Sequence, residues 1–449
     1  MKRQIYATGA GGLIALAFLL TLLAQTPVPL LLADDKSPTV DPRSGVVYVV
    51  SNDPVKDGNA VLAYRNDGLG NLTPLPGSPF RTGGTGYATK HELPHFGPFD
   101  SDQNLVATPD RRRVFATNGG SDTVAVFDVA DDGSLRAVEG SPFPSGGKNP
   151  VSLGLAGDKV YVVNKNEDPG RDMTKTLPNY TGFTIGRDGR LDTIKGARVE
   201  LETAWRSPTQ ALVVRDKFIF DGDFGSFYLP SREAMWGKGL RQDTPSTIRS
   251  MRIKADGALE PLPPLAAPEG AFVGGLDTDK DGKPDPLMFG LQAHPKEKLV
   301  YLCFVTAAKL AVYEYDDEGR LTFLQAVPNS GELICWLVVN AAGTRAYTAN
   351  NASDTVSVYD LSDPRKPVEI QHLHLKGHGH PYQLALDSRE KFLYTVKHRT
   401  FTETPVGDGS VLNVLEVLPT GKLREVPSSP VTLPVRDDLL ARPQGVLAF

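Results

Sequence analysis

The octapeptide SDTVAVFD at 121–128 returns, nearly letter for letter, as SDTVSVYD at 353–360. Each alternates apolar and polar side chains, the pattern of a strand, and each follows a run ending in Asn, RVFATN (113–118) and RAYTAN (345–350). The same kind of run recurs outward in both directions as VVYVVSN (46–52), KVYVVN (159–164), KFIFDG (217–222), LVYLCF (299–304) and FLYTVK (392–397), seven copies in all. A further alternating run follows each copy: VLAY (61–64), VAVF (124–127), YTGFTI (180–185), RSMRI (249–253), LAVYEY (310–315), VSVY (356–359) and LNVLEV (412–417). Six of the seven units then turn with Gly two residues before Leu, at Gly70, Gly133, Gly189, Gly257, Gly319 and Gly421, where glycine suits the positive φ of a tight hairpin. The sixth unit uses DPRKP (363–367) instead. Seven units at a mean spacing of about 58 residues, each with four short strands, predict an all-β chain folded as a seven-bladed β-propeller of four-stranded blades.

The two chain ends complement one another. Six units open with a first strand such as NPVSLGL (149–155), SPTQALVV (207–214) or HPYQLAL (380–386), whereas 41–45 runs directly into VVYVV. The piece missing there stands at the other end as RPQGVLAF (442–449). The expectation is a ring closed by the C-terminal strand joining the N-terminal blade, which leaves no open sheet edge.

Composition sets the outer bounds. The 449 residues are 22% charged and 40% hydrophobic, with 48 basic against 53 acidic side chains and a net charge of −5. That excludes a disordered chain and gives no electrostatic case for nucleic acid. The 44 Gly and 36 Pro fit a turn-rich fold, and two Cys exclude a disulfide framework. Lys2 and Arg3 precede an apolar run at 12–24, which as a helix would rise about 20 Å against a bilayer core of about 30 Å. Residues 1–33 therefore read as a signal peptide, with an uncleaved anchor as the alternative, and 34–449 as a single propeller domain. The expected location is periplasmic or secreted.

The YVxN strands followed by SDTVSVYD resemble the YVTN-repeat propellers, and the units with their D-G-x-L turns are similar to the lactonase family of seven-bladed propellers. That family includes propeller-type 6-phosphogluconolactonases, so the resemblance implies the fold and, more weakly, lactone hydrolysis. In catalytic relatives a His or Arg commonly follows the proline opening an innermost strand. Here the openings read Pro150-Val151, Pro208-Thr209, Pro381-Tyr382 and Pro443-Gln444, with Arg206, His380 and Arg442 standing just before the prolines instead. Lactone hydrolysis needs a base to activate water and a cation or donor for the oxyanion. On that reading His380 or Glu332 is the base, and Arg206 and Arg442 steady the developing charge. A phosphorylated sugar lactone, being cytoplasmic, sits poorly with export. The competing reading is a non-catalytic propeller that binds a small molecule or a protein.

Long connections are sorted. All of them (81–103, 165–179, 222–247, 266–286 and 398–409) join second to third strands or one blade to the next, and these share one face of the disc. That loop-rich face, with the central pocket opening onto it, is the expected ligand face. Phe224, Phe227, Tyr228 and Trp236 in 222–247 read either as a lid or docking patch or as a self-contained apolar cluster, and Trp205 as a stacking platform or as blade packing.

Asp277, Asp279, Asp281, Gly282, Lys283 and Asp285 match the D-x-D-x-D-G-x-x-D spacing of a calcium loop, in which alternate carboxylates and the Lys283 carbonyl face one concavity. Met288 stands where an EF-hand has its bidentate Glu, so the expected cofactor is a structural Ca²⁺ in an inserted loop, the alternative being a solvated acidic loop. No organic cofactor is indicated. His372, His374, His378 and His380 fall within nine residues, either as a transition-metal set or as surface histidines, and His91 and His95 form a second pair. Cys303 and Cys335 read as buried thiols or as a disulfide that export would permit.

Overall fold

Tyr, Phe and Val at alternate positions suit strands packed on both faces, and the second runs all form them: Val46–Val50, Arg113–Asn118, Lys159–Asn164, Phe218–Asp223, Leu299–Phe304, Arg345–Asn350 and Phe392–His398 in blades 1 to 7. The computed structural model describes residues 41–87, 100–167, 171, 173–223, 225, 244–277, 282–398, 410–439 and 441–449. The leader expected at 1–33, the His91/His95 pair and Phe224, Phe227, Tyr228 and Trp236 lie outside these residues. Among the described residues no helix is long and apolar enough to cross a membrane.

Each second strand pairs antiparallel with an innermost strand on one side and a third strand on the other, giving seven sheets. The innermost strands of blades 2 to 7 are Leu105–Ala107, Pro150–Ala156, Leu212–Val214, Met288–Ala293, Ile334–Val339 and His380–Leu386. Blade 1 takes its innermost strand, Gln444–Ala448, from the chain's far end, with Tyr48 opposite Leu447 and Val47 opposite Ala448. This strand lies between Leu105–Ala107 of blade 2 and His380–Leu386 of blade 7, and the remaining innermost strands follow one another around the circuit. The ring is closed, as the complementary ends predict.

One contact explains why the repeat carries both an aromatic residue and a tight turn. The buried Tyr48, Tyr161 and Tyr347 donate their hydroxyls to the main-chain carbonyls of Gly133 (2.6 Å), Gly257 (2.9 Å) and Gly421 (3.0 Å), each in the outer turn of the following blade. Tyr301 reaches Pro364 O (2.8 Å) in the DPRKP turn, and Tyr394 accepts from Asn66 Nδ2 (2.6 Å) across the closure. At these contacts the tyrosine body fills the inter-blade core while its tip meets a polar group of the neighbouring blade. The six turn glycines all have φ between +77° and +96°.

Five blades differ from the expected four strands, because the outermost one is split into two short pieces that both pair with the third strand; prolines lie between the pieces in blades 1, 2, 4 and 7, and Gly196, at positive φ, in blade 3. In three of them the residue before the proline supplies the missing acceptor. Ser78, Ser141 and Ser429 Oγ accept the main-chain N–H of Ala63, Val126 and Val414 at 2.9, 2.9 and 3.0 Å.

Candidate functional site at the loop-rich mouth of the channel

Because innermost strands start at the loop-rich face, the residues opening them ring one end of the channel. His380 opens that of blade 7, with His398, the last residue of the second strand, as its partner across the ladder. His380 Nδ1 lies 2.8 Å from the main-chain carbonyl of Asn351. A carbonyl can only accept, so Nδ1 carries the proton and Nε2 of the neutral ring is the acceptor nitrogen. Burial, aided by the Lys397 charge and opposed by the Asn351 bond, holds the His380 pKa below the ordinary imidazole value. His398 is fully buried, its ring 3.5 Å from that of Tyr382 between centroids. Burial, then the charges of Arg442 and His380, push its pKa far down. His398 thus sits within the field of the Arg442 guanidinium, itself only 3% exposed, with His380 beside it.

The floor of this mouth is a stretch of chain. Ser101 O accepts from Trp336 Nε1 of blade 6 (2.9 Å) and Gln383 Nε2 of blade 7 (2.6 Å). Asp100 O accepts from Lys165 Nζ of blade 3 (2.7 Å), Asp102 N donates to Thr209 O of blade 4 (3.3 Å), and Asn104 Nδ2 donates to Gln444 Oε1 of blade 1 (3.1 Å). Only a segment crossing the axis can touch five blades within five residues, so 100–104 plugs the channel. Above it the buried Lys165 and Glu167 lie 3.7 Å apart, and Tyr87 donates to Gln444 Oε1 at 2.6 Å. Burial, with the Asp100 charge adding and the Gln444 bond and Arg442 opposing, raises the Tyr87 phenol well above its usual value.

His380 and Arg442 are thus brought together around His398. Arg206 belongs elsewhere, 3.2 Å from Glu202, 3.7 Å from Asp223 and 3.0 Å from Pro245 O in blade 4, beside Arg249, which pairs with the same two carboxylates at 2.8 Å each. Glu332 is exposed where blade 6 opens, its N–H donating to Ser353 Oγ at 3.0 Å. His398, Lys165, Tyr87 and the plug were not singled out from sequence. One signal would have found the first two: both directly follow the last residue of the YVxN-type motif, in register with Asn351, whose Nδ2 donates to Pro381 O at 3.1 Å.

Asp277 Oδ2 accepts the Gly282 N–H at 2.9 Å, so the first carboxylate of the proposed calcium loop folds back over its turn. Asp285 is buried, its N–H donating to Leu276 O (2.9 Å) and its carbonyl accepting from the Thr306 hydroxyl; Lys283 lies between, and Asp279 and Asp281 are outside the described residues. His372 and His374 meet edge to face at 5.4 Å on the outer strand Val368–His374. Among the described residues no three His, Cys, Asp or Glu are placed to hold a metal. Cys303 and Cys335 are buried free thiols.

The architecture defines the class, a closed seven-bladed propeller with its polar site at the loop-rich end. Within that class, residues 277–400 match the family described as lactonase, seven-bladed β-propeller. Comparison with curated proteins gives no sequence match. Among solved structures, a candidate 6-phosphogluconolactonase from Bacteroides uniformis superposes with a TM-score of 0.60 at 14% identity, covering 86% of this chain and 96% of that one. A periplasmic gluconolactonase from Pseudomonas aeruginosa gives 0.57 at 13%, covering 86% and 98%. A hypothetical selenium-binding protein from Sulfolobus tokodaii gives 0.58 at 12%, covering 90% and 93%. At such identities the likeness is one of fold. The resemblance to lactonase-like propellers read from the repeats therefore stands on the family match and on the seven blades.

Proposed function

We propose that this propeller binds a small carboxylate- or lactone-bearing molecule at the loop-rich mouth, outside the cytoplasm, with Ca²⁺ holding the 277–285 loop. The observation that carries the reading is the convergence of His380, His398 and Arg442 above the plug. A guanidinium offers paired donors matched to a carboxylate or acyl oxygen, His380 offers Nε2 as an acceptor while its Nδ1–H is held by Asn351 O, and Tyr382 gives the pocket an aromatic wall. The family match and the gluconolactonase neighbour favour a sugar-acid or lactone ligand. The apolar run at 12–24 favours export, which also supplies the calcium that a weak loop needs. Titration calorimetry with D-gluconate as probe tests this: wild type should bind, and Arg442→Gln should bind at least about tenfold more weakly, about 1.4 kcal/mol.

The tautomer of His380 favours a second reading, ring-opening hydrolysis. Nε2 would take a proton from water as the oxygen adds to the lactone carbonyl. Arg442 would steady the oxyanion, and cleavage of the ring C–O bond would return the proton to the leaving hydroxyl, giving the hydroxy acid. Glu332, exposed where blade 6 opens, is the alternative base. Proton release from D-glucono-1,5-lactone above the spontaneous rate, falling about a hundredfold or more in His380→Gln, would support it; no rate above background would rule it out for this probe.

A further inference from the structure

The plug has a second side. Below it, toward the face of the short turns, lies a chamber of about 130 Å³ whose roof is Asp102 and Gln103 and whose walls include Gln210, Gln292, Leu337 and Leu384. Gln292, Leu337 and Leu384 stand in the later halves of their strands, on the short-turn side of His380, whereas Gln210 precedes its strand. Asp102 accepts the Gln103 N–H at 2.7 Å and keeps partial access to solvent because it lines this space. Among the described residues no Lys, Arg or His lines the chamber, and the NH₂ of Gln210 is committed to Gln103 Oε1 (2.9 Å) and Leu291 O (3.0 Å).

A half-buried carboxylate inside the channel is costly unless a positive charge or a proton accompanies it. We propose that the chamber is a monovalent cation site, with Asp102 as the charged ligand and amide oxygens and retained water completing the shell. One negative charge balances one positive charge, whereas a divalent ion would leave an uncompensated charge in the channel and usually gathers several carboxylates. About four waters' volume suits a partly hydrated Na⁺ or K⁺. Burial, opposed by the Gln103 N–H bond, pushes the Asp102 carboxyl up to about 7, so proton and cation would compete near neutrality. The Asp102 charge is felt by the Cys303 thiol of blade 5, whose pKa burial raises well above its ordinary value with that charge adding.

The test is thermal melting of the full chain at pH 8 in chloride salts of Na⁺, K⁺ or N-methylglucamine, a cation bulkier than the chamber, at about 0.15 M ionic strength. Wild type should melt about 2 °C higher in Na⁺ or K⁺ than in N-methylglucamine. Asp102→Asn, which keeps the acceptor for Gln103, should melt equally in all three. Rubidium anomalous scattering in wild-type crystals, which needs no variant, should place an ion beside Asp102. Equal salt responses in the two proteins, or no rubidium in the chamber, would overturn the site. Neither result bears on the gluconate titration at the other end of the channel.

Discussion

Single hydroxyls, those of Tyr48, Tyr161, Tyr301 and Tyr347, link blades 1, 3, 5 and 6 to the blade that follows, and the worth of one can be measured. Tyr161→Phe keeps the buried ring but leaves Gly257 O without its donor, so it should cost about 1 kcal/mol in urea unfolding. No loss would mean that the turn finds water instead. Acid and base enter through a neighbouring cluster. Burial pushes the Asp221 carboxyl up to about 6; the Tyr180 hydroxyl and the Thr209 and Gln210 N–H groups pull it down, and the Asp223 charge adds to the rise. A raised carboxyl binds its proton more tightly in the folded chain. Its contribution to stability is therefore complete below the unfolded value near 4 and is lost as pH climbs through 6. In Asp221→Asn, Oδ1 still accepts both N–H groups while the Tyr180 hydroxyl turns to accept. The variant should thus gain on wild type steadily from pH 4 to about 6.5, read as urea midpoints. A pH-independent difference would contradict the assignment.

At the scale of the element, the closing strand matters most. Removing 444–449 strips Val46–Val50 of its inner partner and leaves an open edge in the ring. The shortened chain should lose its cooperative melt or aggregate; an unchanged melting temperature would refute the closure. For the 277–285 loop, CaCl₂ should raise the wild-type melting temperature, and Asp277→Asn should remove that rise. A chelator without effect on wild type would dismiss calcium. The repeat was legible because its signals are local: a Gly at positive φ two residues before Leu, an aromatic three residues before Asn, and ends that complement each other. The split outer strands were less so, although Gly-Ser-Pro-Phe recurs at 77–80 and 140–143, because the serine's acceptor role exists only once a third strand lies beside it. Of the site, His380 and Arg442 were found by their place before the opening prolines. His398 and the plug were not, since His398 matters through a cross-strand neighbour and 100–104 has no periodicity to betray a path across the axis. Arg206 shared the sequence signal but is held by Glu202 and Asp223, a pairing that needs blade 4 folded.

Over the whole molecule the ring separates two tasks. Short turns close one face and long connections converge on the other, so the rigid strands carry an adaptable rim over a fixed polar mouth. The plug divides the channel, giving each end its own chemistry, imidazoles and a guanidinium above and a lone carboxylate below. The most direct test of this account is calorimetric titration of D-gluconate into wild type, Arg442→Gln and, as a control exposed on the short-turn face, Arg112→Gln. The account predicts binding to wild type and to the Arg112 variant, and affinity at least about tenfold weaker in the Arg442 variant with melting within about 3 °C of wild type. Equal affinity in all three proteins, or no binding to wild type, would contradict it.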